Sequence, residues 1–362
     1  MSKQEGQETY EDGLNTFLSH LQVLVDSLDE KGVPTGVPTH EKWKYVISSI
    51  QNYTPKFVLF FRNCPSYEDS FPFVTLLHDK LLNLVALYQI IAAGANDILL
   101  KQLKKKITEL FTGYMSLCNE LLIENQNYRQ TVDNSGSKDR KNDTNLPVDR
   151  KFGIIEKLLK ELFACPLDNY HASSVEIQSC YPLIRDAMKE LEEALKSTAE
   201  EEEITADPQD DDDFFDMCDM YLTENQKEVV PHCITLIKTA GGILVQISKA
   251  LKQKMPPKEE GLILLCEQNE AQQIIKHQLN SLVEQAHQVQ YQVDDLACSI
   301  YPPQDREKLL EHATNLCGLV KSLLQFCNTS TIFEESLITK LSGLFSTLTN
   351  PATTHLEQLC TK

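Results

Sequence analysis

From Ile275 to Ile300 the apolar residues Leu279, Leu282, Ala286, Val289, Val293 and Leu296 recur in steps that alternate four and three without a break. That spacing places all of them on one stripe of an α-helix, because 3.6 residues complete a turn. A strand alternates its faces every second residue and cannot bury this set on one side. A helix with one apolar stripe needs partners of the same kind. The chain supplies them in Leu14, Phe17, Leu21, Leu24 and Leu28, then in Phe73, Leu77, Leu81, Leu84 and Tyr88. Another row runs from Leu99 through Leu103, Ile107, Leu110, Tyr114 and Leu117 to Leu121. Since no segment sustains a period of two, the expected fold is all-α, with antiparallel helical bundles.

Further rows complete the list of expected helices. Trp43, Val46, Ile47, Ile50 and Phe57 lie in 41–63, where Pro55 predicts a kink or a break. Phe152, Ile155, Leu159 and Leu162 mark a short helix; Tyr181, Ile184, Met188, Leu191 and Leu195 mark one over about 174–199. Thr223 and Gln226 have capping-box spacing ahead of an apolar segment in which Pro231 predicts a bend. After QDREKLL come Leu310, Ala313, Cys317, Val320, Leu324 and Cys327. Thr331 and Glu334 repeat the capping-box spacing before Leu337, Leu341, Leu344 and Leu348.

Two polar stretches interrupt the helical pattern. Residues 130–149 hold almost nothing that can enter a core, and they are expected to form a mobile loop. Between Glu200 and Asp219 there are four Glu, seven Asp and no Lys or Arg, which accounts for −11 of the formal net charge of −19. The reading is therefore two lobes, 1–199 and 221–362, joined by a disordered acidic linker at 200–220. Within that linker Phe214 and Phe215 are candidate docking residues, because apolar side chains in an acidic run suit a partner's groove.

Charge and motif content narrow the function classes. A chain this acidic lacks the concentrated Lys/Arg face that phosphate contacts need, so direct nucleic-acid binding is not expected. The basic cluster KQLKKK at 101–106 falls off the buried row of its helix and is expected on a solvated face. The apolar run at 73–95 is interrupted by His78, Asp79, Lys80 and Asn83, so no membrane span and no membrane partner are expected. The N-terminal MSKQEGQETYEDG is polar and acidic, unlike a secretory or transit peptide, which points to cytoplasm or nucleus. Eleven cysteines are scattered through helical positions, the pattern of reduced core thiols rather than of a disulfide framework.

No enzyme signature emerges. There is no C-x-x-C and no H-E-x-x-H, and Glu284 with His287 supplies only one of the two E-x-x-H pairs that a di-iron bundle uses. Gly241-Gly242 sits inside a helix and lacks the ending of a phosphate loop. No catalytic residue, metal ligand or cofactor is expected.

VDDLACSIYPP at 293–303 is the one dense polar cluster on a well-defined helix. With Val293, Leu296 and Ile300 buried, Asp294 and Asp295 point about 100° apart and cannot converge as a catalytic pair. They lie near a helix C-terminus, where acids oppose the helix dipole and call for an outside partner. Asp294, Asp295, Ser299, Tyr301, Pro302 and Pro303 are therefore candidates for holding a neighbouring helix or a protein partner.

The same segment closely resembles the D-D-L-x-x-S-I-Y-P-P block of the cyclin-D-interacting proteins, the family also called GCIP, Maid or HHM. YLTENQKEVVPHCITLIK (221–238) is similar to that family's W-S-E-x-x-Q-E-L-I-I-P-C block, with Tyr221 where the family often has Trp. IRDAMKELEEALKS (184–197) looks like its V-K-D-A-x-E-E-M-E-x-A segment. The resemblance implies an all-helical, two-lobed, non-enzymatic protein of cytoplasm and nucleus. It also implies binding to D-type cyclins, signalling adaptors and helix-loop-helix transcription factors, with negative regulation of cell-cycle progression and transcription. The alternative is a helical-bundle adaptor similar to talin and vinculin modules, bridging signalling or cytoskeletal proteins.

Overall fold

The computed structural model describes residues 10–30, 39–63, 67–135, 146–165, 167–196, 222–257, 269–301 and 305–360. Among these the chain forms ten α-helices and no strand. In chain order they are α1 (Tyr10–Asp26), α2 (His40–Arg62), α3 (Tyr67–Ala92), α4 (Asp97–Ser135), α5 (Leu146–Ala164), α6 (Asn169–Lys196), α7 (Glu224–Gln253), α8 (Glu270–Cys298), α9 (Arg306–Thr329) and α10 (Glu335–Cys360). They divide into two compact units, 1–169 with 256–272 and 170–255 with 273–362.

In the first unit α1 packs on α3 and α4, α2 packs on α3 and α5, and α4 packs on α5, so five helices close into a ring. Its interior is aromatic. Phe17, Phe57, Phe61, Phe111 and Tyr114 are fully buried, and the Phe17 and Phe57 rings lie 5.5 Å apart in tilted contact. Burying such rings stabilises by roughly 1.5–3 kcal/mol each, and their polar atoms must be satisfied at the same time. Trp43 meets that demand by donating Nε1–H to the Leu162 carbonyl at the end of α5, at 2.9 Å. Thr54 Oγ1 spends its proton on the Ile50 carbonyl, so the Tyr114 hydroxyl, 2.5 Å away, is the donor between the two.

α2 continues through Pro55 to Arg62, so of the kink or break expected there the break does not occur. The proline ring is exposed, and the carbonyl that loses its N–H partner is one turn earlier at Gln51. The cap at the start of α2 is Thr39, whose Oγ1 accepts from Lys42 N at 3.1 Å.

The second unit closes its own ring. α7 packs on α9 and α10, and α9 packs on α10. α6 joins α7 through Ser174 and Ser248, and α8 joins α6 through Glu176 and His287 and α9 through Gln292 and His312. Its core is aliphatic and small, with Val230, Cys233, Ile237, Leu244, Ile247 and Ala286 fully buried. Gly241 lies on the α6 side of α7, where a Cβ would stand 3.0 Å from Ile184 Cγ2, so the two helices approach as closely as a glycine allows. Ser174 and Ser248 exchange hydroxyl-to-carbonyl bonds of 3.0 and 3.1 Å across the same contact.

Several sequence expectations change. Residues 170–196 of α6 belong to the second unit, whereas the sequence predicts that the lobes part at the acidic stretch. Composition marks that stretch as a linker, yet the helices on either side of it, α6 and α7, are neighbours in one bundle. The loop expected over 130–149 is shorter, because α4 runs to Ser135 and α5 starts at Leu146. The acidic stretch at 200–220 lies outside the described residues. In α10 the buried row is Ile338, Leu341, Phe345, Thr349, Ala352 and Leu356, while Leu344 and Leu348 are exposed. Thr331 does not cap that helix, which begins at Glu335; its hydroxyl donates to Gln278 on α8 instead.

The lysine cluster is more structural than a solvated face suggests. Lys104 pairs with Asp29, and Lys106 reaches Glu161 on α5 at 2.7 Å. That hydrogen bond and charge hold the Glu161 carboxyl below its usual range. Residues 68–92 and 226–253 are long and apolar enough by composition to cross a membrane; in the structure they are α3 and α7, and each contributes a row of side chains to a bundle core.

Candidate protein-binding site

The last turns of α8 show why the aspartates cannot act as a pair. Val293, Leu296 and Ile300 are fully buried and fix the rotation of the helix. Asp294 is then half-buried on one flank, where its Oδ2 accepts from Gln290 Nε2 one turn earlier at 3.0 Å. Asp295 lies on the exposed side, and among the described residues its carboxylate has no hydrogen bond or ion pair. Ser299 turns inward on its own helix, with Oγ donating to the Leu296 carbonyl at 2.7 Å and its N–H to the Asp295 carbonyl at 3.1 Å. Of the two acids, only Asp295 is fully available to a partner.

The end of this helix is tied to the start of α7. Thr223 and Gln226 form the expected capping box, in which Gln226 Oε1 accepts from Thr223 N at 2.7 Å. The other half of the Gln226 amide donates Nε2–H to the Ile300 carbonyl at 3.2 Å, in a buried position. One side chain therefore satisfies orphan backbone groups at an N-terminus and at a C-terminus. Tyr301, next in sequence, is half-buried; burial raises its phenol pKa first, and the Glu190 carboxylate on α6 adds to the rise.

At this end of the second unit the start of α7 is thus bonded to the residues that follow α8, and α6 lies near enough at Glu190 for its charge to act on Tyr301. The helix dipole of α8 ends there, and Glu190 and Asp295 are exposed acids. Such a surface accepts hydrogen bonds and cationic side chains. Among the described residues there, no nucleophile is hydrogen-bonded to a base.

Glu190 carries no sequence signal of its role, and Gln226 carries only the capping one. The Gln226 bond to Ile300 spans 74 positions and leaves no periodic signal. Pro302, Pro303, Phe214 and Phe215 lie outside the described residues. His287 faces Glu176 on α6, Nε2 to Oε1 at 3.5 Å, and no group of three or more His, Cys, Asp or Glu among the described residues is placed to hold a metal ion. Burial pushes the Cys165 and Cys180 thiols up to about 11 and the Cys233 and Cys327 thiols up to about 12, so these stay protonated at neutral pH.

Comparison with known proteins adds two family matches. Residues 46–197 match the N-terminal region of the Grap2 and cyclin-D-interacting proteins, and residues 208–325 match the C-terminal region. A zebrafish (Danio rerio) relative, cyclin-D1-binding protein 1 homolog, is 29% identical over 175 residues, 47% of this chain and 46% of the relative. The human cyclin-D1-binding protein 1 is 25% identical over 176 residues, 46% of this chain and 44% of that protein. The chain spans about half the length of the curated relatives it matches. With both regions matched in order over most of its length, the chain belongs to the Grap2 and cyclin-D-interacting family.

Proposed function

We propose that this protein is a non-enzymatic regulator that binds a D-type cyclin through the acidic end of its second unit. The observation that carries the reading is that three segments resembling family blocks lie together: Gln226 bonds to Ile300, Gly241 admits Ile184, and the Glu190 charge reaches Tyr301. The relatives' names record cyclin D1 binding for those proteins. Asp295 supplies an exposed charge to a basic partner, and Asp294, braced by Gln290, supplies a second acceptor at its edge.

Helix-loop-helix transcription factors and signalling adaptors are further partners in this reading. An activator of that class needs a basic helix in the major groove. This chain offers amphipathic helices with an excess of acid, so pairing would withhold the activator from DNA and act negatively on transcription and the cell cycle, in cytoplasm and nucleus. Isothermal titration of the full chain with a D-type cyclin tests the core of it. Asp295→Asn should weaken binding by about tenfold, the effect of losing one charge-assisted contact, while leaving the melting curve unchanged. Unchanged affinity in the double variant Asp294→Asn, Asp295→Asn would remove this end of the unit from the interface.

A further inference from the structure

The first unit carries a surface of opposite chemistry. One face of α2 presents Tyr45, Ser48, Ser49, Asn52, Tyr53 and Lys56, and Lys80 of α3 completes an open groove of about 350 Å³. All seven side chains carry a hydrogen-bond donor and none is an acid. In a chain of net charge −19 such a grouping runs against the overall sign.

The floor is preorganised. Lys80 Nζ lies 2.6 Å from Ser49 Oγ and 5.7 Å over the centre of the Tyr53 ring, which holds the ammonium in place. An ammonium only donates, so Ser49 accepts and its own O–H proton is left to donate. Asp79, the acid beside Lys80 in sequence, lies 3.7 Å from His78 Nδ1 and is not part of the lining. Lys56 stands exposed on the rim, as do Tyr45 and Asn52. Glu41 is exposed one turn before Tyr45 and is not part of the lining. Two exposed apolar residues lie one helical turn from the two lysines without lining the groove: Leu59 is 65% exposed on α2, one turn beyond Lys56, and Leu76 is 44% exposed on α3, one turn before Lys80.

We propose that this groove binds a phosphorylated segment of a partner protein, with the phosphate between Lys56 and Lys80 and a neighbouring apolar residue against Leu59 and Leu76. Two ammonium groups, two serine hydroxyls and an amide offer more donors than the two oxygens of a carboxylate can use. The three terminal oxygens and near-double charge of a phosphomonoester match them. An anionic membrane surface is a poorer match, because lipid headgroups are held by clusters of four or more cations rather than by two in a concave groove. The groove lies in the first unit, so this proposal stands or falls independently of cyclin binding.

The test uses the full chain and a fluorescent degenerate nonapeptide library with central phosphoserine, alongside the same library with serine or glutamate at that position, read by anisotropy. The phosphoserine library should bind about tenfold more tightly than either control, with inorganic phosphate competing. Lys56→Ala should remove most of that difference. Since Lys56 is exposed, its loss leaves the fold intact, which circular dichroism checks; Lys80→Ala, which also breaks the Ser49 contact, should act in the same direction. Equal binding of all three libraries, or a phosphoserine preference that survives the double alanine variant, overturns the proposal. So does Lys56-dependent co-sedimentation with phosphatidylserine vesicles when the phosphopeptide does not bind.

Discussion

The two units, each of five helices among the described residues, reach stability by opposite packing. In the first, large rings fill the centre and each polar atom they bring is satisfied by a single long-range bond, as with Trp43 to Leu162 and Tyr114 to Thr54. In the second, small residues draw helices together: Gly241 admits Ile184, and Ser174 and Ser248 bridge backbones that a larger side chain would hold apart. Tight packing is common to both. The difference is in what each should tolerate: the first unit suffers most from losing volume, the second from gaining it.

Phe57→Ala breaks the comparison hardest. Removing a fully buried ring that touches Phe17 and Phe61 should cost about 3–5 kcal/mol, read as lost hydrogen-exchange protection in α2 and α4. Next comes Gly241→Val, where added atoms meet Ile184 on contact. A loss of roughly 1–3 kcal/mol by chemical denaturation is expected, and Ile184→Ala in the same chain should recover part of it; the absence of any recovery would place the strain elsewhere.

Smaller and opposite in sign, Gly153→Ala in α5 and Gly343→Ala in α10 meet nothing within 4 Å and should each stabilise their unit by up to about 1 kcal/mol. These two variants separate a glycine required by packing from glycines that merely interrupt a helix.

The weakest effect expected is one the units share. His20 and His78 contact across α1 and α3 with ring centres 4.7 Å apart, and His232 and His355 stack across α7 and α10 at 5.1 Å. Desolvation lowers the pKa of His78, with His20 adding to it and Asp79 opposing it; desolvation, then His355, lowers that of His232. The unfolded chain therefore takes up protons first, as pH falls below the ordinary value near 6.5. Stability should fall from there until the lowered folded values are passed, and should be unaffected above neutrality. His78→Gln should flatten the pH dependence of melting in the first unit only, and His232→Gln in the second only.

Legibility in the sequence followed the number of neighbours each helix has to satisfy. The unbroken row of α8 is buried from Leu279 to Ile300, because one apolar stripe left a single rotation to choose. α10 carries two rows with equally good spacing, and leucine content alone favours the row through Leu337, Leu344 and Leu348. Packing against both α7 and α9 selects the other, in which Thr349 and Ala352 face inward, and Thr349 spends its hydroxyl on the Phe345 carbonyl. Polar links across the fold were invisible for a different reason. The capping role of Gln226 is local and legible in the sequence, while its bond to Ile300 depends on two helix ends meeting in space. At the candidate site the acids lie on separate faces, as the helical period predicts, but the bracing of Asp294 by Gln290, which leaves Asp295 as the free carboxylate, depends on side-chain rotamers that the period does not encode.

Hydrogen exchange of the full chain, with and without a saturating D-type cyclin, tests the central claim most directly. The account predicts added protection confined to the end of the second unit, at the C-terminal turns of α6 and α8 and the first turn of α7. Protection that appears only in the first unit, with residues 223–226 and 293–301 unchanged, would contradict it.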